Sequence, residues 1–139
     1  VNWDEYFLGF AQHAATKSKD TTKVGAALIG PEGEVRLTGF NGPARGVKDL
    51  PERFERPAKY LWCSHAEEGI ISFAAREGIK TKDCTLFTSH QPCAKCSRMI
   101  VNAGIVAVVY GPGKTSMPLE EFEAGMTMFN EAGVKVRRL

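Results

Sequence analysis

Residues 84–110 read CTLFTSHQPCAKCSRMIVNAGIVAVVY, and their rhythm decides the fold. Cys84 to Thr88 reads as a short strand. Pro92 precedes a segment that predicts a helix over roughly residues 94–103, with Gly104 as its stop. Ile105 to Tyr110 is a near-continuous apolar run, the pattern of a strand covered on both faces. Strand, helix and strand in succession make a right-handed crossover, which leaves the two strands parallel.

The same alternation extends outward. Within Ala66 to Gly78, Ile70, Phe73 and Ala74 share one helical face, and Gly78 is a C-terminal stop. Trp3, Phe7, Phe10 and Ala14 predict an amphipathic helix over roughly residues 2–18, broken by Ser18-Lys19-Asp20-Thr21-Thr22. Val24 to Ile29 and Glu34 to Phe40 flank Gly30-Pro31-Glu32-Gly33 and read as a hairpin. Residues 41–64 carry Gly42-Pro43, Gly46, Pro51 and Pro57 with no clear period, and so long an irregular stretch is usually functional. Leu119, Phe122, Met126 and Phe129 mark a last helix, and Val134 to Arg138 alternates as an edge strand would. The order is α-β-β-α-β-α-β-α-β with the last three strands parallel. This predicts a single three-layer α/β domain over residues 1–139 with a five-stranded mixed sheet.

Composition narrows the function classes. A chain of 139 residues with 43% hydrophobic and 24% charged residues is ordinary for a globular domain and argues against disorder. Eighteen basic against 16 acidic residues, net +2, give no electrostatic basis for a nucleic-acid partner. No apolar run approaches the roughly 20 residues of a membrane helix. The opening VNWDEYF lacks the basic-then-apolar pattern of a secretory leader. Four cysteines are too few for a disulfide scaffold, so the expected compartment is the cytoplasm, where Cys93-x-x-Cys96 points to metal or redox chemistry.

Two segments carry that chemistry: His65-Ala66-Glu67 and Pro92-Cys93-Ala94-Lys95-Cys96, each opening a helix. Helices flanking the same parallel strands can bring their N-termini together at the sheet edge. Cys93 and Cys96, three apart in a first helical turn, put both sulfurs on one side. The positive end of that helix favours thiolates. With His65 they form a three-donor set suited to Zn²⁺ with a fourth position open. Glu67 then stands beside the metal as a proton carrier, and H-x-E with P-C-x-x-C is the signature of the zinc nucleobase deaminases. Two rivals remain. Adding Cys63 gives a closed Cys₃His structural site with no chemistry, which leaves Glu67 unexplained. A thioredoxin-like redox pair leaves His65 and Glu67 without a part.

The chain resembles the cytidine deaminase-like superfamily and, within it, the deoxycytidylate (dCMP) deaminases. The resemblance rests on the two metal motifs and on five further segments: Ser18 to Ala26, Gly39 to Val47, Arg56 to Tyr60 before His65, Cys84 to Thr88 before Pro92-Cys93, and Ala103-Gly104-Ile105. It implies the cytidine deaminase-like α/β/α fold, a zinc ion on His65, Cys93 and Cys96, and Glu67 as catalytic acid and base. It further implies hydrolytic deamination of a cytosine nucleotide, dCMP to dUMP, by a homo-oligomer (often a hexamer) regulated by dCTP and dTTP. The expected substrate-binding set is Asn41, Arg45, Ala66, Ser89 and Gln91. Asn41 matches a base- or sugar-binding Asn but also suits an Asn-Gly turn. Arg45 offers a guanidinium fork for a 5′-phosphate or is a solvated loop charge. His90 either stacks on the substrate or is a structural loop residue. Two departures stand out: Gly69 replaces the usual Asn of HAE-x-N, and His90-Gln91 replaces a more apolar pair. They keep open the same chemistry on another amino-heterocycle, such as a 5-modified dCMP, a nucleoside, a free base or a tRNA adenosine. An inactive zinc-stabilised nucleotide-binding module is the alternative of another class.

Overall fold

The computed structural model describes residues 1–139. In chain order it comprises α1 (Trp3–Ala15), β1 (Gly25–Ile29), β2 (Val35–Phe40), β3 (Gly42–Pro43), α2 (Lys59–Trp62) and β4 (Cys63–Ser64). There follow α3 (Ala66–Glu77), β5 (Thr85–His90), α4 (Ala94–Asn102), β6 (Ala107–Gly113), α5 (Leu119–Ala132) and β7 (Lys135–Arg138). Five strands form one sheet in the order β2-β1-β5-β6-β7. β1 is antiparallel to both β2 and β5, whereas β5, β6 and β7 run parallel, as the alternation of strands and helices requires.

The pleat sorts side chains between two cores. Ala26, Leu28, Leu86 and Val108 face α3, α4 and α5 with Ile70, Ile100 and Phe129. Ala27, Ile29, Phe87 and Val109 face α1 with Phe7, Leu8 and Ala11. Burying a Leu, Ile or Phe side chain contributes about 1.5–3 kcal/mol, so the two faces together carry the fold. The double coverage expected of the Ile105–Tyr110 run is met by Val108 and Val109, both fully buried. The strand itself starts at Ala107, since Ile105 closes the turn after α4 through Ile105 N–H to Ile100 O, and it runs on to Gly113. Beyond Tyr110 it pairs only with β5.

Local signals explain the ends of the helices. Asn2 caps α1, its Oδ1 accepting from Glu5 N–H at 2.8 Å, and Gly78 ends α3 in the left-handed region at φ 69°. α1 stops at Ala15, earlier than its apolar period suggests. Ser18 turns inward instead and donates its hydroxyl to Asn41 O at 2.9 Å. Residues 41–64 are more ordered than their composition indicates: β3 pairs with β4, and a 3₁₀ turn spans Pro51–Phe54. None of the helices is long and apolar enough to cross a membrane.

Candidate active site

α3 and α4 begin side by side, with His65 and Cys93 as their N-cap residues in extended backbone. Two carboxylates fix these helix starts. Glu68 accepts from His65 N–H at 3.0 Å and from Lys95 Nζ at 3.3 Å, so one side chain joins the two motifs. Glu121 of α5 accepts from Ala94 N–H at 3.1 Å. Gly125 lets α5 come close enough, because a Cβ there would stand 2.5 Å from Ser97 Oγ.

His65, Cys93 and Cys96 converge. His65 Nδ1 lies 3.4 Å from Cys93 Sγ and 3.4 Å from Cys96 Sγ, and all three donor atoms fall within 4.8 Å of one another. Zinc bonds of about 2.3 Å to sulfur and 2.0–2.1 Å to nitrogen at tetrahedral angles place such donors about 3.5 Å apart, so the spacing fits the ion. The protonation chemistry fits it as well. Hydrogen bonding from Cys96, and then from His65, pulls the Cys93 thiol down to about 3, while the bond to Cys93 and burial push Cys96 up. The hydrogen bonding thus favours the thiolate at Cys93, and His65 is raised chiefly by its bond to Cys93. Cys63 is outside the cluster: its thiol points to Arg53 O at 3.5 Å, which removes the fourth donor of a closed site.

Glu67 is 4% exposed and lines, with His65 and Cys93, a cleft of about 340 Å³. Burial holds its carboxyl above the ordinary range, the condition of a group that must both take up and release a proton. Arg56, Lys59 and Lys95 are the cleft's cations. Lys59 is paired with buried Asp20 at 3.1 Å, and Arg56 donates to Tyr60 Oη at 2.8 Å and to Ser116 Oγ at 3.2 Å.

The expected substrate-binding residues divide. Gln91 and Asn41 line the cleft. The Asn41 amide, however, is already engaged, its Oδ1 accepting from Val24 N–H and its Nδ2 donating to Thr22 O. Ser89 lies behind the cleft wall, its Oγ accepting from Gly25 N–H at 3.0 Å. Arg45 and Ala66 belong to a second cavity, where the Arg45 guanidinium sits 4.4 Å above the Phe73 ring. Gly69 lines that second cavity too, so its departure from the motif leaves the Glu67 cleft untouched. Sequence reasoning missed Asp20, Lys59, Arg56 and Tyr60. The segments holding them carried the resemblance, but a buried ion pair between residues 39 apart leaves no spacing signal.

Fold and site together define a class: an α/β/α domain with an open three-donor metal centre beside a buried carboxylate. Residues 1–112 match the family model described as the cytidine and deoxycytidylate deaminase zinc-binding region, and the chain belongs to this family of zinc-dependent deaminases. Among its relatives is an uncharacterised deaminase of Aliivibrio fischeri, 35% identical, with 96% of this chain and 91% of the relative covered. The human deoxycytidylate deaminase is 31% identical over 99% of this chain and 80% of its own length. The dCMP deaminase of cyanophage S-TIM5, solved in complex with dCMP and dUMP, superposes with a TM-score of 0.79 at 25% identity, covering 97% of this chain and 95% of that one.

Proposed function

We propose that this protein hydrolyses dCMP to dUMP and ammonia, and that His65, Cys93 and Cys96 hold its zinc. The observation that carries the reading is the buried Glu67 carboxyl, in one cleft with His65 and Cys93 of the three-donor cluster. Zinc held by these three residues would supply a Lewis acid that lowers the pKa of water to about 7. Glu67 takes the proton released by that water on one carboxylate oxygen and delivers it to N3 of the cytosine ring as oxygen adds to C4. The same carboxyl then carries the proton of the hydroxyl added at C4 to the exocyclic nitrogen, and ammonia departs as the C4–N bond breaks and the C4 carbonyl forms. Atoms balance as dCMP + H₂O → dUMP + NH₃. Low exposure keeps bulk water from the carboxyl during both transfers. Arg56 and Lys95 supply the positive charge that a 5′-phosphate needs at the cleft, and Gln91 offers an amide to the base.

The same family reading carries a homo-oligomer regulated by dCTP and dTTP in the cytoplasm. The second cavity, about 690 Å³ with Lys17, Lys19, Arg45 and Arg76 against one acid, Asp49, in its wall, has the size and sign of charge for a nucleoside triphosphate. Exposed Tyr60, Leu61 and Trp62 supply apolar area for self-association. The substrate is tested by ammonia release from zinc-loaded protein offered dCMP, CMP, 5-methyl-dCMP, deoxycytidine, guanine and adenosine. Highest kcat/KM on dCMP supports the reading; a higher value on another member replaces the substrate, and no release from any member with zinc bound removes the activity.

A further inference from the structure

The end of β5 holds a histidine that the deamination chemistry does not use. His90 lines the Glu67 cleft, opposite Gly113 in the β5–β6 pairing, just past a register irregularity. Three features hold its ring. Ser89 Oγ lies 2.7 Å from His90 Nδ1 and already accepts from Gly25 N–H at 3.0 Å. The Ser89 hydroxyl is buried and His90 Nδ1 is the one acceptor within its reach, so its hydrogen goes to Nδ1 and the ring proton resides on Nε2. Burial depresses the imidazole's basicity, which keeps it in this neutral form. The third feature is Gly113. A Cβ there would stand 2.4 Å from Cε1 and 2.5 Å from both Nδ1 and Nε2. Near-equal distances to three ring atoms mean that the Cβ direction points at the face of the imidazole. The ring therefore lies flat against the glycine, and any larger residue would dislodge it.

Nδ1 is thereby fixed as an acceptor, and Nε2–H makes no hydrogen bond within the protein. We propose that His90 is a specificity-determining residue whose Nε2–H donates a hydrogen bond to an oxygen of the bound nucleotide, and that Ser89 and Gly113 position it. This inference rests on the cleft's being the nucleotide site. A neutral donor discriminates by geometry as well as charge, whereas Arg56 and Lys95 attract any anion. Gly113 acts only through the ring: its lack of a side chain matters while His90 is present and not otherwise.

That dependence makes the test a cycle on the zinc-loaded full chain. The dUMP dissociation constant is measured by calorimetry, alongside KM and kcat for dCMP, in wild type, His90→Leu, His90→Gln, Gly113→Ala and His90→Leu/Gly113→Ala. Loss of one hydrogen bond weakens binding by about 2- to 13-fold. We expect His90→Leu to weaken dUMP by about tenfold, with KM carrying more of the change than kcat. His90→Gln, which keeps a donor, should recover part of the loss. Gly113→Ala should weaken dUMP several-fold alone and by less than twofold when His90 is already Leu. Deoxyuridine and inorganic phosphate as ligands locate the contact: a loss shared by deoxyuridine places it on base or sugar, and a loss shared by phosphate places it on the phosphate. Wild-type turnover of dCMP with dUMP affinity unchanged in His90→Leu overturns the inference alone, as does a Gly113→Ala penalty that persists without His90. A wild type that neither turns over dCMP nor binds dUMP overturns the substrate reading and this inference with it.

Discussion

Gly25 at the start of β1 is where helix and sheet touch without an intervening side chain, and replacing it by alanine is a sharp test of the packing. A Cβ at Gly25 would stand 1.9 Å from Ala11 O and 2.6 Å from Ala15 N, both backbone atoms of α1. Carbon and oxygen in ordinary contact sit well over 3 Å apart, so no rotamer change relieves the clash. The helix itself must shift by about an ångström or more, unseating Phe7, Leu8 and Ala11 from Ala27 and Val109. Overpacking of this kind costs about 1–3 kcal/mol, and a clash against rigid backbone belongs at the top of that range. With an unfolding entropy of about 0.3 kcal/mol/K for a chain of this length, 3 kcal/mol lowers Tm by about 10 °C. Gly9→Ala is the internal control. Gly9 lies within α1 and a Cβ there meets nothing within 4 Å, so alanine should stabilise by about 0.5–1 kcal/mol through helix propensity. Differential scanning calorimetry of both variants checks the pair. Gly25→Ala melting within 2 °C of wild type would refute the contact between α1 and β1 as described.

Three further outcomes are expected. Asp20→Asn leaves the Lys59 ammonium buried without its counter-charge, and should cost about 3–5 kcal/mol by urea denaturation; a cost below 1 kcal/mol would mean the pair is solvated. Cys96→Ala should abolish stoichiometric zinc by atomic absorption and lower Tm, because metal binding energy contributes to folding; full zinc content would remove Cys96 from the donor set. The third is a pH effect. Burial raises the Glu67 carboxyl, so the folded state binds more protons than the unfolded chain above the unfolded pKa, and stability falls as pH rises through that window. In chelator-treated protein, Glu67→Gln should therefore melt near wild type below about pH 4, near the unfolded carboxyl pKa, and gain on it as pH rises. A gap that is constant with pH would contradict the burial of a titrating carboxyl.

Periodicity made most of the fold legible. The crossover through residues 84–110 follows from an apolar run and one glycine stop, and both survive in the structure as β6 and the turn at Gly104. The three metal donors were legible for a related reason: their positions follow from spacing within first helical turns, and such turns have fixed geometry. Loop side chains obey no such rule. Asn41 takes its direction from Val24 and Thr22, Ser89 from Gly25, and Arg45 from Phe73, partners 17 to 64 residues away. The chain's order contains no trace of those distances. Residues 41–64 were hidden similarly, because two-residue strands such as β3 and β4 are held by each other and not by any local pattern.

The central claim is that Glu67 moves protons for zinc-dependent deamination of a cytosine nucleotide, and it is tested most directly by one paired measurement. Zinc content, and dUMP with ammonia formed from dCMP, are followed in wild type and Glu67→Gln prepared side by side. Removal of an acid-base group of this kind lowers turnover by about 10²–10⁴-fold. The expected result is one zinc per chain in both proteins, equimolar dUMP and ammonia from wild type, and a loss of that size in the variant. Full turnover by zinc-replete Glu67→Gln, or no ammonia from zinc-replete wild type, would contradict it.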